Sequence, residues 1–211
     1  MPKVSKEHQA ARRRQILDAA LECFARHGFH GTTMQQIVRR SKLSPGAIYG
    51  YFPSKQAIIE AIADERHAGE RAAFGRAASS ASLRAALSEL SRSFLGRLES
   101  PLEQRQRKIG VQLWGEALRD PRVMRIVERG VAEPLEQLTA LLQKARERGE
   151  IPRALDPEAL ARLLIAAFHG FVLQQAWDPD VDLGRYMSTL ETVLDGLVSR
   201  ASSSRRPSRR S

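Results

Sequence analysis

One stretch limits what this chain can fold into more than any other: Thr32 to Lys55, TTMQQIVRRSKLSPGAIYGYFPSK, which holds a helix too short to stand alone. Ser44 suits an N-cap, and Pro45 follows at the first helical position, where its missing N–H costs no hydrogen bond. The helix they open runs to Tyr51 and turns only Ile48 and Phe52 inward. Isolated helices shorter than about 12 residues are marginal in water. A segment like this persists only if packed on a scaffold, and its other face, with Gly46, Tyr49 and Gly50, is then presented to something. Upstream, Met34, Ile37 and Val38 recur at helical spacing, Thr32 and Gln35 have capping-box spacing, and SKLS interrupts the pattern. Helix, tight turn, short second helix is the shape of a helix-turn-helix reader.

Charge follows the same division. Residues 1–55 hold ten Lys and Arg against three acids, residues 200–211 hold five arginines and no acid, and the stretch between carries a net −2. A basic head on a nearly neutral body is the electrostatic footprint of a nucleic-acid binder. Arg12, Arg13 and Arg14 read equally as a solvated face or as phosphate contacts.

The first helix is expected over 6–27, with Ile16, Ala19, Ala20, Cys23 and Phe24 on one stripe and Gly28 as its stop. A fourth helix starts at the Ser54 cap, buries Ile58, Ile59 and Ile62, and meets no break before SSASL at 79–83, which makes it a mechanical link between head and body. Further helices are expected over 82–99 (Leu83, Leu87, Leu90, Phe94, Leu98), from Pro101 (Ile109, Val111, Leu113, Trp114, Ala117) and over 121–148 (Met124, Val127, Val131, Leu135, Leu138, Leu142), the last kinked at Pro134. Arg105, Lys108, Gln112, Glu116 and Arg119 form a polar stripe read as solvent-facing.

The eighth helix, 157–177, is capped by Asp156 and has apolar residues around its whole circumference; the ninth, 182–198, repeats Leu183, Met187, Leu190, Leu194 and Leu197 at spacings of 4, 3, 4 and 3. Together they suggest a face buried against a second copy, with an intramolecular core as the alternative. The Arg/Ser-rich tail, 199–211, is expected to be disordered.

Several chemistries find no support. No Walker loop, GxGxxG, GxSxG or HExxH occurs, and the five histidines form no ligand pattern, so neither catalytic residues, metal nor cofactor is expected. His67 and Glu70, three apart, read as an exposed helix face. The longest apolar run, LLIAAFHGFVL at 163–173, is too short for a membrane span, and no apolar leader opens the chain. The single cysteine, Cys23, fits the core and a reducing cytoplasm. In the body, Phe94, Trp114, Phe168 and Phe171 are enough to line an apolar cavity, with His169 beside them.

From Arg12 to Ile62 the chain resembles the DNA-binding domain of the TetR (tetracycline-repressor-like) regulators. The resemblance rests on the amphipathic first helix, the GFHGTT lead-in, the IYGYF core of the short helix and the SK that opens the next. It implies an all-α fold with a helix-turn-helix domain at 1–55 (motif about 33–52) and a helical regulatory and dimerisation domain at 56–198. It also implies that Pro45, Gly46 and Tyr49 face bases while Thr33, Tyr51 and Lys55 grip phosphates. Pro45-Gly46-Ala47 offers no side-chain hydrogen bond, so base reading leans on close approach and thymine methyls, with polar help from Gln36 or Arg40. The expected function is a ligand-responsive repressor. It binds double-stranded palindromic operator DNA as a homodimer through its last two helices and responds to a small apolar or amphipathic effector. The alternative is a nonspecific, charge-driven DNA-coating protein.

Overall fold

Polar caps set where the helices begin. The computed structural model describes residues 5–98, 101–178 and 180–203, and these form nine helices. They are α1 (Lys6–Gly31), α2 (Met34–Ser41), α3 (Pro45–Tyr51), α4 (Lys55–Ala78), α5 (Leu83–Leu98), α6 (Pro101–Ala117), α7 (Pro121–Glu147), α8 (Pro157–Trp177) and α9 (Leu183–Ser203). The side chain of Ser5 accepts from the N–H of His8, that of Ser44 from Ala47, and that of Asp156 from Ala159. Each such cap satisfies an N–H the helix cannot bond itself and contributes about 1 kcal/mol.

Three boundaries differ from expectation. The capping box belongs to Thr33 and Gln36, one residue later than Thr32 and Gln35. Thr32 is instead buried and donates its hydroxyl to the Gly28 carbonyl at 2.7 Å. Gly28 does interrupt the α1 ladder, at φ 71°, but a further turn follows to Gly31. At the other end α9 continues to Ser203, past the boundary expected at 198, because no Gly or Pro stands there before Pro207. The tail from 204 and the side chains of Leu98, Arg105, Lys108 and Leu197 lie outside what the structure describes.

Packing divides the chain into two units, one of residues 1–68 and 100–130, the other of 69–99 and 131–211. In the first, α1 supplies Ile16, Ala20 and Phe24, and α2, α3 and α4 add Ile37, Ile48 and Ile58, all fully buried. Removing a fully buried isoleucine side chain costs roughly 2–5 kcal/mol. Ile109 and Leu113 of α6 and Val123 and Ile126 of α7 join this core, although the sequence assigned residues beyond 55 to the body. On α7 the buried pair is Val123 and Ile126; Met124 and Val127, expected on the inner stripe, are only partly buried. Cys23 is buried here, and burial pushes its thiol pKa up, away from the reactive thiolate.

In the second unit α4 (Phe74, Ala77), α5 (Leu83, Leu90), α7 (Leu138, Leu142) and α8 (Leu160, Ala161) share a core. His67 and Glu70 are both buried, at 8% exposure, rather than on an exposed face. Among the described residues no group of three or more His, Cys, Asp or Glu is arranged to hold a metal. Contrary to expectation, α8 is long and apolar enough to cross a membrane by length and composition, yet only 22% of that stretch is buried within the chain. Leu163 and Trp177 on it are 66% and 73% exposed.

Candidate nucleic-acid interface

The site grows from the way α1 and α4 hold the α2–turn–α3 segment. Gln15 on α1 donates its side-chain amide to the Ser41 carbonyl at 2.7 Å, and the Ser41 hydroxyl donates to Val38 O at 3.0 Å. Lys42 then takes the left-handed conformation, φ 57°, which reverses the chain toward the Ser44 cap. Nothing in the sequence marks Gln15 for this role, since its partner stands 26 positions away. On the α4 side, Lys55 donates its ammonium to the carbonyls of Phe29, His30 and Thr32 at 2.6, 3.2 and 2.9 Å. It also sits 4.7 Å from the centre of the Phe29 ring. Burial lowers its pKa, and the Glu116 carboxylate opposes that shift. Glu116, read as solvent-facing, in fact pairs with His30.

With the segment fixed, α3 sorts its side chains sharply. Ile48 is fully buried and Phe52 nearly so, while Pro45, Gly46, Ala47, Gly50 and Tyr49 face outward, Tyr49 at 51% exposure. A Cβ added at Gly46 or Gly50 would meet no heavy atom within 4 Å. The fold therefore does not require glycine at either place. What glycine does is leave the outer surface of α3 bare, so the backbone can approach a flat partner closely.

The other expected contact residues divide. Thr33 is exposed at the α2 N-terminus, where the helix dipole favours a phosphate. The Gln36 carbonyl oxygen is engaged in the capping box, accepting from Thr33 N at 2.7 Å. Arg40 is ion-paired with Glu22. Tyr51 is half-buried against the first core. Lys55 has its three N–H donors on carbonyls, which suits a brace for the α1–α2 junction better than a free phosphate contact. Arg39 and Lys42, not singled out from sequence, are exposed and have no ion-pair partner among the described residues.

In the second unit Phe94 and Phe168 lie 5.2 Å apart, and Phe171 packs 5.0 Å from Tyr186. His169 is half-buried next to the Phe168 ring, at 6.0 Å. Trp114 belongs to the first unit.

Residues 16–62 match the family described as bacterial regulatory proteins, tetR family. Residues 85–199 match the C-terminal part of the BetI-type transcriptional repressors, more than half of the chain. Over 65 residues the chain is 48% identical to the HTH-type transcriptional repressor Rv1474c of Mycobacterium tuberculosis, a match covering 31% of this chain and 35% of that one. The solved structure of Salmonella enterica GusR superposes with a TM-score of 0.73 at 32% identity, covering 93% of this chain and 99% of GusR. A SmeT–triclosan complex, SmeT being the repressor of the Stenotrophomonas maltophilia efflux pump SmeDEF, superposes at 0.73 with 26% identity over 90% and 91% of the two chains.

Proposed function

The chain belongs to the TetR family of bacterial regulatory proteins, and we propose that it represses transcription by placing α3 of each of two subunits in successive major grooves of a palindromic operator. It is a sequence-specific DNA-binding regulator with an all-α fold and an N-terminal helix-turn-helix. The observation that carries the geometric part is the split of α3, with Ile48 and Phe52 anchoring it and a bare face of Pro45, Gly46, Ala47, Tyr49 and Gly50 turned outward. Major-groove readers need a helix of that kind, with phosphate contacts around it for register. Thr33, Arg39 and Lys42 suit those contacts. Base discrimination comes mainly from Tyr49 and from apolar contact with thymine methyls, since Arg40 and Gln36 are engaged elsewhere.

The homodimer forms through α8 and α9. Leu163, Trp177 and Val193 on those helices are more than half exposed, and Leu183, Met187, Leu190 and Leu194 are only partly covered. A single chain leaves this apolar surface to water; a second copy covers it, which also accounts for a helix of bilayer-like composition in a DNA-binding protein. Ligand response fits the same design, because SmeT, a structural relative, is known in complex with triclosan. An effector in the second unit acts on DNA binding only by its different affinity for two states of the dimer, and α4 and α7, which contribute to both units, are the covalent route. The place of action is the cytoplasm, where the operator is.

Selection of bound sequences from a random DNA pool at about 0.15 M salt tests the function. The expected result is an enriched inverted repeat, lost on Tyr49→Ala. Uniform binding that fades with salt and enriches nothing would replace the repressor with a nonspecific DNA-coating protein.

A further inference from the structure

The second unit contains a cavity that the aromatic group does not line. It has a volume of about 290 Å³ and lies between the end of α4, the start of α5 and the second half of α7. That is close to the small end of ligand-sized cavities, roughly 300 Å³. Its floor is apolar, with Phe74, Ala77, Ala86 and Leu141 all buried. Three cations, Arg71, Lys144 and Arg148, also line it, and no carboxylate does. Arg71 is paired with Glu133 at 3.1 Å and Arg148 with Glu150, but Lys144 has no ion-pair partner among the described residues. Gln137 also lines the wall, but its side-chain oxygen is buried out of reach of the cavity and its amide nitrogen lies 3.5 Å from Glu133.

We propose that this cavity binds a small organic anion with an apolar body, such as an aromatic acid, and that this is the chemical class of the effector. The effector role rests on the ligand-responsive reading above; the binding site does not. Each part of the ligand answers one feature of the lining. A flat or short apolar body covers the apolar lining, and a carboxylate meets the charge of Lys144, which no acid pairs among the described residues. A purely apolar effector would leave the Lys144 charge unmet.

The test is calorimetric titration of the full-length dimer, at constant ionic strength, with 4-hydroxybenzoate, benzoate and the neutral 4-hydroxybenzyl alcohol. We expect one site per chain, with both acids binding more tightly than the alcohol. Lys144 and Ala140 are exposed, so Lys144→Glu and Ala140→Phe leave the core intact. Each should weaken 4-hydroxybenzoate at least tenfold, the first by reversing the charge and the second by filling the mouth. No binding of either acid at up to about 10 mM would overturn the proposal, as would an alcohol that binds as tightly as the acid or a Lys144→Glu chain within twofold of the parent. Operator binding is measured on the same preparation without acid, so loss of the DNA-binding reading and loss of the site look different. Acid that binds yet leaves operator affinity unchanged would overturn its role as effector.

Discussion

Lys42 holds the turn between α2 and α3 at φ 57°, the only positive φ outside glycine among the described residues. A side chain there costs about 1–2 kcal/mol relative to a relaxed conformation, and glycine avoids most of that. Lys42→Gly is therefore expected to raise unfolding stability by roughly 1 kcal/mol in urea titration. The same change should lower the salt slope of operator binding by about one ion if Lys42 touches a phosphate. Gly50 makes the opposite case: α3 tolerates a side chain there, and an α3 seated in the major groove as proposed does not. Gly50→Leu should leave stability within about 1 kcal/mol, since the added side chain meets open space, yet weaken operator binding at least tenfold. Asp120 provides the pH handle. Hydrogen bonds from the Arg122 backbone N–H and side chain hold its carboxyl below the usual aspartate range, at the start of α7. A group with a depressed folded pKa stabilises above its unfolded pKa, and that stability disappears as pH falls through the folded value. Thermal unfolding across the acid range should show a loss for the parent chain that is smaller for Asp120→Asn.

At the scale of elements, α3 and α8 are found at the residues their caps and prolines indicate, because Ser44-Pro45 and Asp156-Pro157 act locally. The Thr32/Thr33 shift was not legible: two identical neighbours offer the same hydroxyl, and only burial of Thr32 beneath Gly28 separates them. Val123 and Ile126 were missed on α7 because each stands beside another apolar residue, so the pattern fits two faces one step apart. Periodicity also says that a face is buried, never against what, which is why α6 and the start of α7 were assigned to the body and not to the α1 core. In the candidate site, the outward residues of α3 were legible from its length. The engagement of Gln36, Arg40 and Lys55 was not, since each partner comes from packing. Gly130 is of the same kind. A Cβ there would lie 2.9 Å from Nε2 of His67, so Gly130→Ala should cost roughly 1–3 kcal/mol, measured by chemical unfolding.

In the whole molecule an exposed α3 face accompanies an uncovered apolar face on α8 and α9. If that face is the dimer seam, Leu163→Arg combined with Trp177→Glu should shift sedimentation from dimer to monomer at micromolar concentration while keeping the helical spectrum. Operator affinity should then fall steeply, because each half-site is held by one head alone. The most direct test of paired, sequence-specific reading is binding to the selected inverted repeat and to the same repeat with about five base pairs inserted at its centre, half a turn of duplex. A dimer with fixed head spacing should lose at least a hundredfold in affinity, because the half-sites then face opposite sides of the DNA. Equal affinity for both duplexes would contradict the account.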